Sequence, residues 1–384
     1  MPNLFQVRAN DGQARVGILT TAHGQVDTPA FLPVATQGSV KAVAPDDLKS
    51  LGATILLSNT YHLMLRPGIQ VVRKLGGLQA FMSWPGPILT DSGGFQTLSL
   101  DRLSRVSEEG VMFRSHIDGS QHFLSPETSL EYQALLGADI AMVLDQCPPY
   151  RLEEVQVQLA MNRTHRWAMR SKDAHRQEGQ ALFAIVQGGV SPDLRLESAA
   201  TLVSMDFDGY AVGGLSVGEP KASMYQMVSL MGETLPDYKP RYLMGVGSPE
   251  DLIECVARGM DIFDCALPTR VARNGGLFTY HGRVNVDSAP FREQNNPIDE
   301  SCDCYTCQTF SAAYLHHLFK ARELLAYRLA SIHNLRFVIR LMEDTRRSIS
   351  HGAFAAFRER FLSEYHTTDE AVRRLQKEKW LRRR

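Results

Sequence analysis

The run Asp261-Ile262-Phe263-Asp264-Cys265-Ala266-Leu267-Pro268-Thr269-Arg270 reads as a short buried strand that runs out into a loop, with an acid where strand meets loop. An ionised carboxylate in an apolar run is costly to desolvate unless it is paired or employed, because the interior solvates charge poorly. Asp264 therefore needs a partner or a task. The partner would be Arg270 or Arg273 in a structural ion pair; the task would be nucleophilic chemistry.

Outward from that stretch the same pattern recurs. Short apolar runs at 31–35, 54–58, 87–90, 140–144, 182–186, 210–213, 241–246 and 262–264 read as strands. Amphipathic segments at 45–51, 69–75, 126–136, 153–176, 192–205 and 249–258 lie between most of them, several opened by Asp or Ser beside Pro. About eight β-then-α units is the count expected of a (β/α)8 barrel of TIM type, whose parallel strands are buried on both faces. The alternative is an open doubly wound sheet, but no G-x-G-x-x-G follows a strand to support it.

Three regions depart from the alternation. Residues 5–26, punctuated by Gly12, Gly17 and Gly24, read as an N-terminal antiparallel segment that forms a lid or plug. Between 99 and 123, Gly110 and Asp118-Gly119 mark an inserted hairpin. Past Arg273 a hairpin at 277–286 turns around His281-Gly282, followed by a cysteine cluster and one long helix from 311 to about 342. The organisation expected is a single barrel domain over 1–384, with a zinc-binding subdomain at about 278–345 and a C-terminal helical tail at about 352–384.

The chain has 384 residues, 44% of them hydrophobic, and no run approaches the roughly 20 apolar residues of a membrane span. Neither a basic n-region nor an apolar h-region opens the sequence, so a cytoplasmic location is expected. A formal net charge of -1 excludes a globally basic nucleic-acid binder and leaves local patches open.

In a barrel, chemistry sits at the C-terminal ends of the strands. Taken in order, those ends carry Asp91, Asp145, Gln187, Gly213-Gly214, Gly245-Val246-Gly247 and Asp264. Three acids, an amide and two glycine turns would share one rim. The Watson–Crick edge of guanine offers two adjacent donors that suit a carboxylate such as Asp145, and an acceptor that suits the Gln187 amide or an N–H bared by Gly214. Phe95 and Met244, just beyond strand ends, could grip a flat base. The remaining pair, Asp91 and Asp264, matches what is needed to break a glycosidic bond through a covalent intermediate.

Of six cysteines, Cys302, Cys304 and Cys307 fall in one loop, and His333 on the following helix can close a tetrahedral Cys3His zinc site. His316 and His317 are rival fourth ligands. Four protein ligands leave no open position, so such a zinc is structural. Cys147, Cys255 and Cys265 read as packing residues. Arg270, Arg273, Arg322, Arg328, Arg336, Arg340 and Arg346-Arg347 concentrate basic charge in the second half, either as a solvated face or as phosphate contacts.

Six motifs, in this order along the chain, carry a resemblance: Leu89-Thr90-Asp91-Ser92-Gly93-Gly94-Phe95-Gln96, Val186-Gln187-Gly188-Gly189, Gly213-Gly214-Leu215-Ser216-Val217-Gly218-Glu219, Phe263-Asp264-Cys265-Ala266-Leu267-Pro268-Thr269-Arg270, Arg273-Asn274-Gly275, and the Cys302, Cys304, Cys307 and His333 set. Together they resemble the bacterial tRNA-guanine transglycosylases over nearly the whole chain. The resemblance implies a zinc-stapled barrel that exchanges the wobble-position guanine of tRNA anticodons for a 7-deazaguanine base. It implies Asp264 as the nucleophile on C1′ of the ribose and Asp91 as the general acid/base. Asp145, Gln187 and Gly214 would read the purine edge and Leu215 would meet the 7-substituent. Phe95 and Met244 would sandwich the ring, while Thr269, Arg270 and Arg273 would hold the tRNA anticodon stem-loop. Val217, where the eukaryotic form carries Gly, points to 7-aminomethyl-7-deazaguanine (preQ1) rather than queuine as incoming base. Val271-Ala272 departs from the residues common between the two arginines. The family usually forms homodimers, although no heptad here signals one. The rival expectation is a non-catalytic tRNA-binding subunit, which would lack the nucleophile.

Overall fold

The computed structural model describes residues 4–100, 104–150 and 152–367. The end of the helical tail expected at about 352–384 lies outside the described residues. One parallel sheet runs in the order Ala30–Leu32, Ile262–Asp264, Arg241–Leu243, Gly209–Val212, Ala181–Val186, Ile140–Met142, Ile88–Asp91, Leu56–Asn59 and Val34–Ala35. The first and last in that order are two halves of one strand. Ala30–Leu32 pairs with Ile262–Asp264 and Val34–Ala35 with Leu56–Asn59, so the ends of the sheet meet at Pro33 and form a TIM-type barrel. The continuous strand expected at 31–35 is thus broken, because Pro33 has no N–H to give the ladder. Its carbonyl still accepts from Leu57 N at 3.1 Å.

All of Ala181–Val186 is buried, as a parallel strand between helices and barrel interior must be. The expected helices are present, from Pro45–Ser50 through Pro126–Leu136, Glu154–Ala174 and Pro192–Ser204 to Pro249–Val256. Ser125 caps one of them by accepting from Thr128 N. Thr60–Leu65, Gly94–Leu100, Lys221–Thr234 and Leu267–Ala272 are further helices beyond those expected.

Phe5–Asp11, Ala14–Thr21 and Gly24–Thr28 form the antiparallel plug. Arg15 reaches Asp261 with Nε at 2.8 Å and Nη2 at 2.6 Å, and the His23 ring meets Asp139 Oδ1 at 2.8 Å. Each acid directly precedes a barrel strand, so the plug closes the N-terminal end, opposite the polar rim. Removing one partner of the buried Arg15–Asp261 pair would cost about 3–5 kcal/mol.

The inserted segment has three strands rather than two: Arg105–Val106, Val111–Arg114 and Gln121–Leu124. The single helix expected from 311 to about 342 is two, Ala312–Ala321 and Leu324–Ser350, because Arg322 takes a left-handed φ of 59° and Glu323 N closes back on Leu318 O. Leu335, Val338, Leu341 and Met342 of the second helix join the barrel's own core, so the cysteine region shares that core.

Candidate active site

The rim expected from sequence surrounds a cleft of about 640 Å³, within the range of small-ligand sites. Asp91 and Asp264 are the last residues of their strands, Met244 follows Arg241–Leu243, and Asp145 lies three residues beyond Ile140–Met142. With Phe95, Gly214, Leu215, Val217 and Arg270, these residues line one wall or another of the cleft. Phe95 is 45% exposed, an unusual cost for an aromatic ring unless something flat covers it. Gln187 stands behind that surface, fully buried, and donates from Nε2 to Asp145 Oδ2 at 2.7 Å. A side chain at Gly214 would run into the Gln187 amide, with Cβ only 2.4 Å from Oε1. Gly214 also has φ 66°, so glycine is needed there twice over.

Asp264 makes no ion pair with Arg270 or Arg273. Its Oδ1 accepts from Tyr242 Oη at 2.6 Å and from Gly245 N at 2.9 Å, and Oδ2 is outside both bonds. Burial raises its carboxyl above the ordinary range against the pull of those two donors. Asp91 Oδ2 accepts from Asn59 Nδ2 at 3.0 Å and Gln96 Nε2 at 3.1 Å. Burial first, then the charge of Asp264, pushes Asp91 up to about 6. Asp145 is pushed up to about 7 by burial and by the charge of Asp91. Asp264 thus acts on Asp91, and Asp91 on Asp145, along a single cavity, in the pattern that keeps a proton available near neutral pH.

The cysteine region is a second, closed site. Cys302, Cys304, Cys307 and His333 are all buried, with ligand atoms within 4.8 Å of one another. The thiols lie 3.7, 3.7 and 3.2 Å from His333 Nδ1. A tetrahedral zinc needs a sulfur-to-nitrogen edge of about 3.5 Å, so the donor set fits. His333 Nε2 bonds the Phe278 carbonyl at 2.7 Å, which fixes the tautomer and aims the Nδ1 lone pair at the sulfurs. The rivals fall away: His316 Nδ1 is engaged with the Val286 carbonyl at 2.8 Å, and His317 is exposed.

A sequence model of one protein family, described as Queuine tRNA-ribosyltransferase, matches residues 10–367. The chain is 56% identical over 368 residues to a protein of that name from Dehalococcoides mccartyi, covering 96% of this chain and 94% of the relative. It is 57% identical to one from Thermoanaerobacter sp. (strain X514) over 93% of this chain and 96% of the relative. A third, from Solidesulfovibrio magneticus, is 54% identical over the same shares. The chain belongs to the queuine tRNA-ribosyltransferase family.

In this queuine tRNA-ribosyltransferase family member, most of the second-half arginines are committed within the chain. Arg328 pairs with Asp47, Arg336 with Asp303 and Glu343, and Arg347 with Asp344, while Arg346 donates to the Pro29 carbonyl. These pairs are what a solvated, internally paired face would show, the first of the two expectations for this cluster. Arg270 remains exposed at the cleft, and Arg273 keeps a buried Nη1 without a partner. Thr269 is buried and donates to the Ala266 carbonyl at 3.4 Å.

Cys147 and Cys265, read as packing residues, line the cleft; Cys255 is core. Asn59, Gln96, Tyr242 and His62 also belong to the site, although the sequence assigns none of them a role there. Asn59 lies opposite Asp91 in the ladder, and ending its strand at 58 hid it. His62, held down at about 4 mainly by burial, is neutral where it borders the cavity. Among the described residues no helix is long and apolar enough to cross a membrane.

Proposed function

We propose that the protein is a tRNA-guanine transglycosylase, a pentosyltransferase that replaces the wobble guanine of tRNA anticodons by preQ1, a step toward queuosine. The observation that carries this reading is the pairing of Asp91 and Asp264 in one cleft beside a donor and acceptor set for a purine edge. Asp264 attacks C1′ through the oxygen that Tyr242 and Gly245 leave unheld, and the glycosidic bond to guanine breaks. Asp91 delivers a proton to the departing base and takes one from the incoming base. Two inversions through the covalent adduct return the ribose to its starting configuration.

Ionised Asp145 accepts the two adjacent donors of the purine, and Gln187 Nε2 with the Gly214 N–H meets its carbonyl oxygen. Phe95 and Met244 enclose the ring, and the Leu215 carbonyl faces the 7-substituent. Val217 on the cleft wall restricts that substituent to a small aminomethyl group. Arg270 and Arg273, with Thr269 on the same turn, hold the anticodon loop, whose guanine leaves the stack to enter the pocket. Cys302, Cys304, Cys307 and His333 hold one zinc, which staples the C-terminal region and leaves the chemistry to the rim. A homodimer is proposed as well; the Tyr305, Phe310 and Tyr314 rings pack at 5.6 and 5.2 Å, with Tyr305 and Tyr314 exposed to a partner.

Incubation with an anticodon stem-loop and preQ1, followed by mass spectrometry of the RNA, tests the reading. Replacement of a single loop guanine is the expected result; RNA of unchanged mass overturns it.

A further inference from the structure

Arg195 is a fully buried cation to which the proposed exchange gives no role. It lies on the Pro192–Ser204 helix with no exposed surface. Its Nε donates to the Gly189 carbonyl at 2.9 Å and Nη1 to the Val186 carbonyl at 2.8 Å, so the guanidinium straps both ends of the turn that bears Gln187. Nη2 is buried and has no partner. Burial brings the guanidinium down to about 10, so it keeps its charge at neutral pH.

A second orphan lies beside it. Gln187 Oε1 is buried without a partner, while Nε2 of the same amide holds Asp145. Both orphans border the space that Gly214 leaves: a Cβ built there would lie 2.4 Å from Gln187 Oε1 and 3.8 Å from Arg195 Nη2. One atom can only accept and the other can only donate.

We propose that Arg195 is a positioning residue that fixes which way round the Gln187 amide lies, and so makes the pocket select a purine with a carbonyl rather than an amino group at ring position six. The inference rests on the base-exchange reading above. An amide has a donor end and an acceptor end of nearly the same shape, so its orientation is set by its neighbours. Ionised Asp145 draws the NH2 end. Asp145 titrates near neutral pH, however, and protonated it no longer dictates the choice. Arg195 cannot accept, so it holds the oxygen end on the far side through one water across Gly214. With its NH2 pinned, Gln187 offers the base a donor, which pairs with a carbonyl oxygen and opposes an exocyclic amine. Ser198, one turn along the helix, holds the Gln187 backbone N–H at 3.3 Å and bonds His165 Nε2 at 2.9 Å, so it fixes the chain and leaves amide orientation to Arg195.

Calorimetric binding of guanine and of 2,6-diaminopurine, which has an amine for the carbonyl at ring position six and no hydrogen on N1, tests this as a change of ratio among the wild type, Arg195→Met and Arg195→Lys, all of which keep Asp145. The guanine preference is expected to fall at least about tenfold in Arg195→Met, mainly through weaker guanine binding, and to be kept within about threefold in Arg195→Lys, which retains a donor. A strap with no orienting role would weaken both bases equally and lower the melting temperature at constant ratio. Arg195→Met that folds and keeps the wild-type ratio overturns the inference alone; wild-type protein that binds neither base overturns the base-exchange reading with it. If Arg195→Met does not fold, Arg195→Gln decides, because its amide can accept as well as donate and so lets the Gln187 amide turn: a guanine preference reduced about tenfold supports the positioning role, and a kept preference overturns it.

Discussion

The hydroxyl of Tyr242 donates to Asp264 Oδ1 at 2.6 Å, and the Gly245 N–H reaches the same oxygen at 2.9 Å. Tyr242 is fully buried, so nothing but this carboxylate explains where its hydroxyl points. The bond favours the ionised form of Asp264. Without it the carboxyl rises further, and a more alkaline solution is needed to charge the nucleophile. A hydrogen bond to a charged group contributes about 1.5–3 kcal/mol, so Tyr242→Phe is expected to slow RNA-adduct formation by roughly 10–100-fold at neutral pH. The acid limb of the rate profile should move to higher pH, as read by quenched-flow sampling across pH.

Much of this site was legible in the sequence because barrel geometry delivers strand ends to one place. Asp91, Asp145 and Asp264 are acids at the ends of apolar runs, and that contrast is visible without coordinates. Tyr242 is different: it stands inside the apolar run of its strand, where an inward-facing phenol looks like any core aromatic. Asn59 was lost to a strand end misplaced by one residue, and Lys221–Thr234 was passed over although Met224, Met227, Val228 and Met231 bury at helical spacing. The break at Arg322 rests on a left-handed φ that a residue other than glycine does not advertise, whereas the split at Pro33 was written in the proline itself.

Asp145 should make base binding pH-dependent. Only its ionised form accepts both donors of guanine, and burial with the charge of Asp91 pushes its carboxyl up to about 7. Guanine affinity is therefore expected to fall about tenfold per pH unit below 7 and to level off above it, measured by calorimetry. Folding stability runs the other way. A carboxyl raised in the folded state stabilises it below the unfolded value near 4, and that contribution is lost as pH rises through about 7. Asp145→Asn should therefore be more stable than the wild type at pH 8, by a few kcal/mol at most, with the gain shrinking toward pH 4 in urea titrations.

The zinc site should report on folding rather than on chemistry. Cys302→Ser is expected to lower bound zinc from one per chain and to release amide-exchange protection in Leu324–Ser350, whose His333 closes the site. Residual activity should track the fraction folded. Full protection in metal-free protein would contradict a structural role.

The central claim is that the carboxylate ending the Ile262–Asp264 strand becomes covalently bound to the ribose. Denaturing gel electrophoresis of the protein mixed with anticodon stem-loop RNA tests it most directly, comparing wild type with Asp264→Asn. The account predicts a slow-migrating RNA adduct with the wild type and none with Asp264→Asn. An adduct formed by Asp264→Asn at full yield would contradict it.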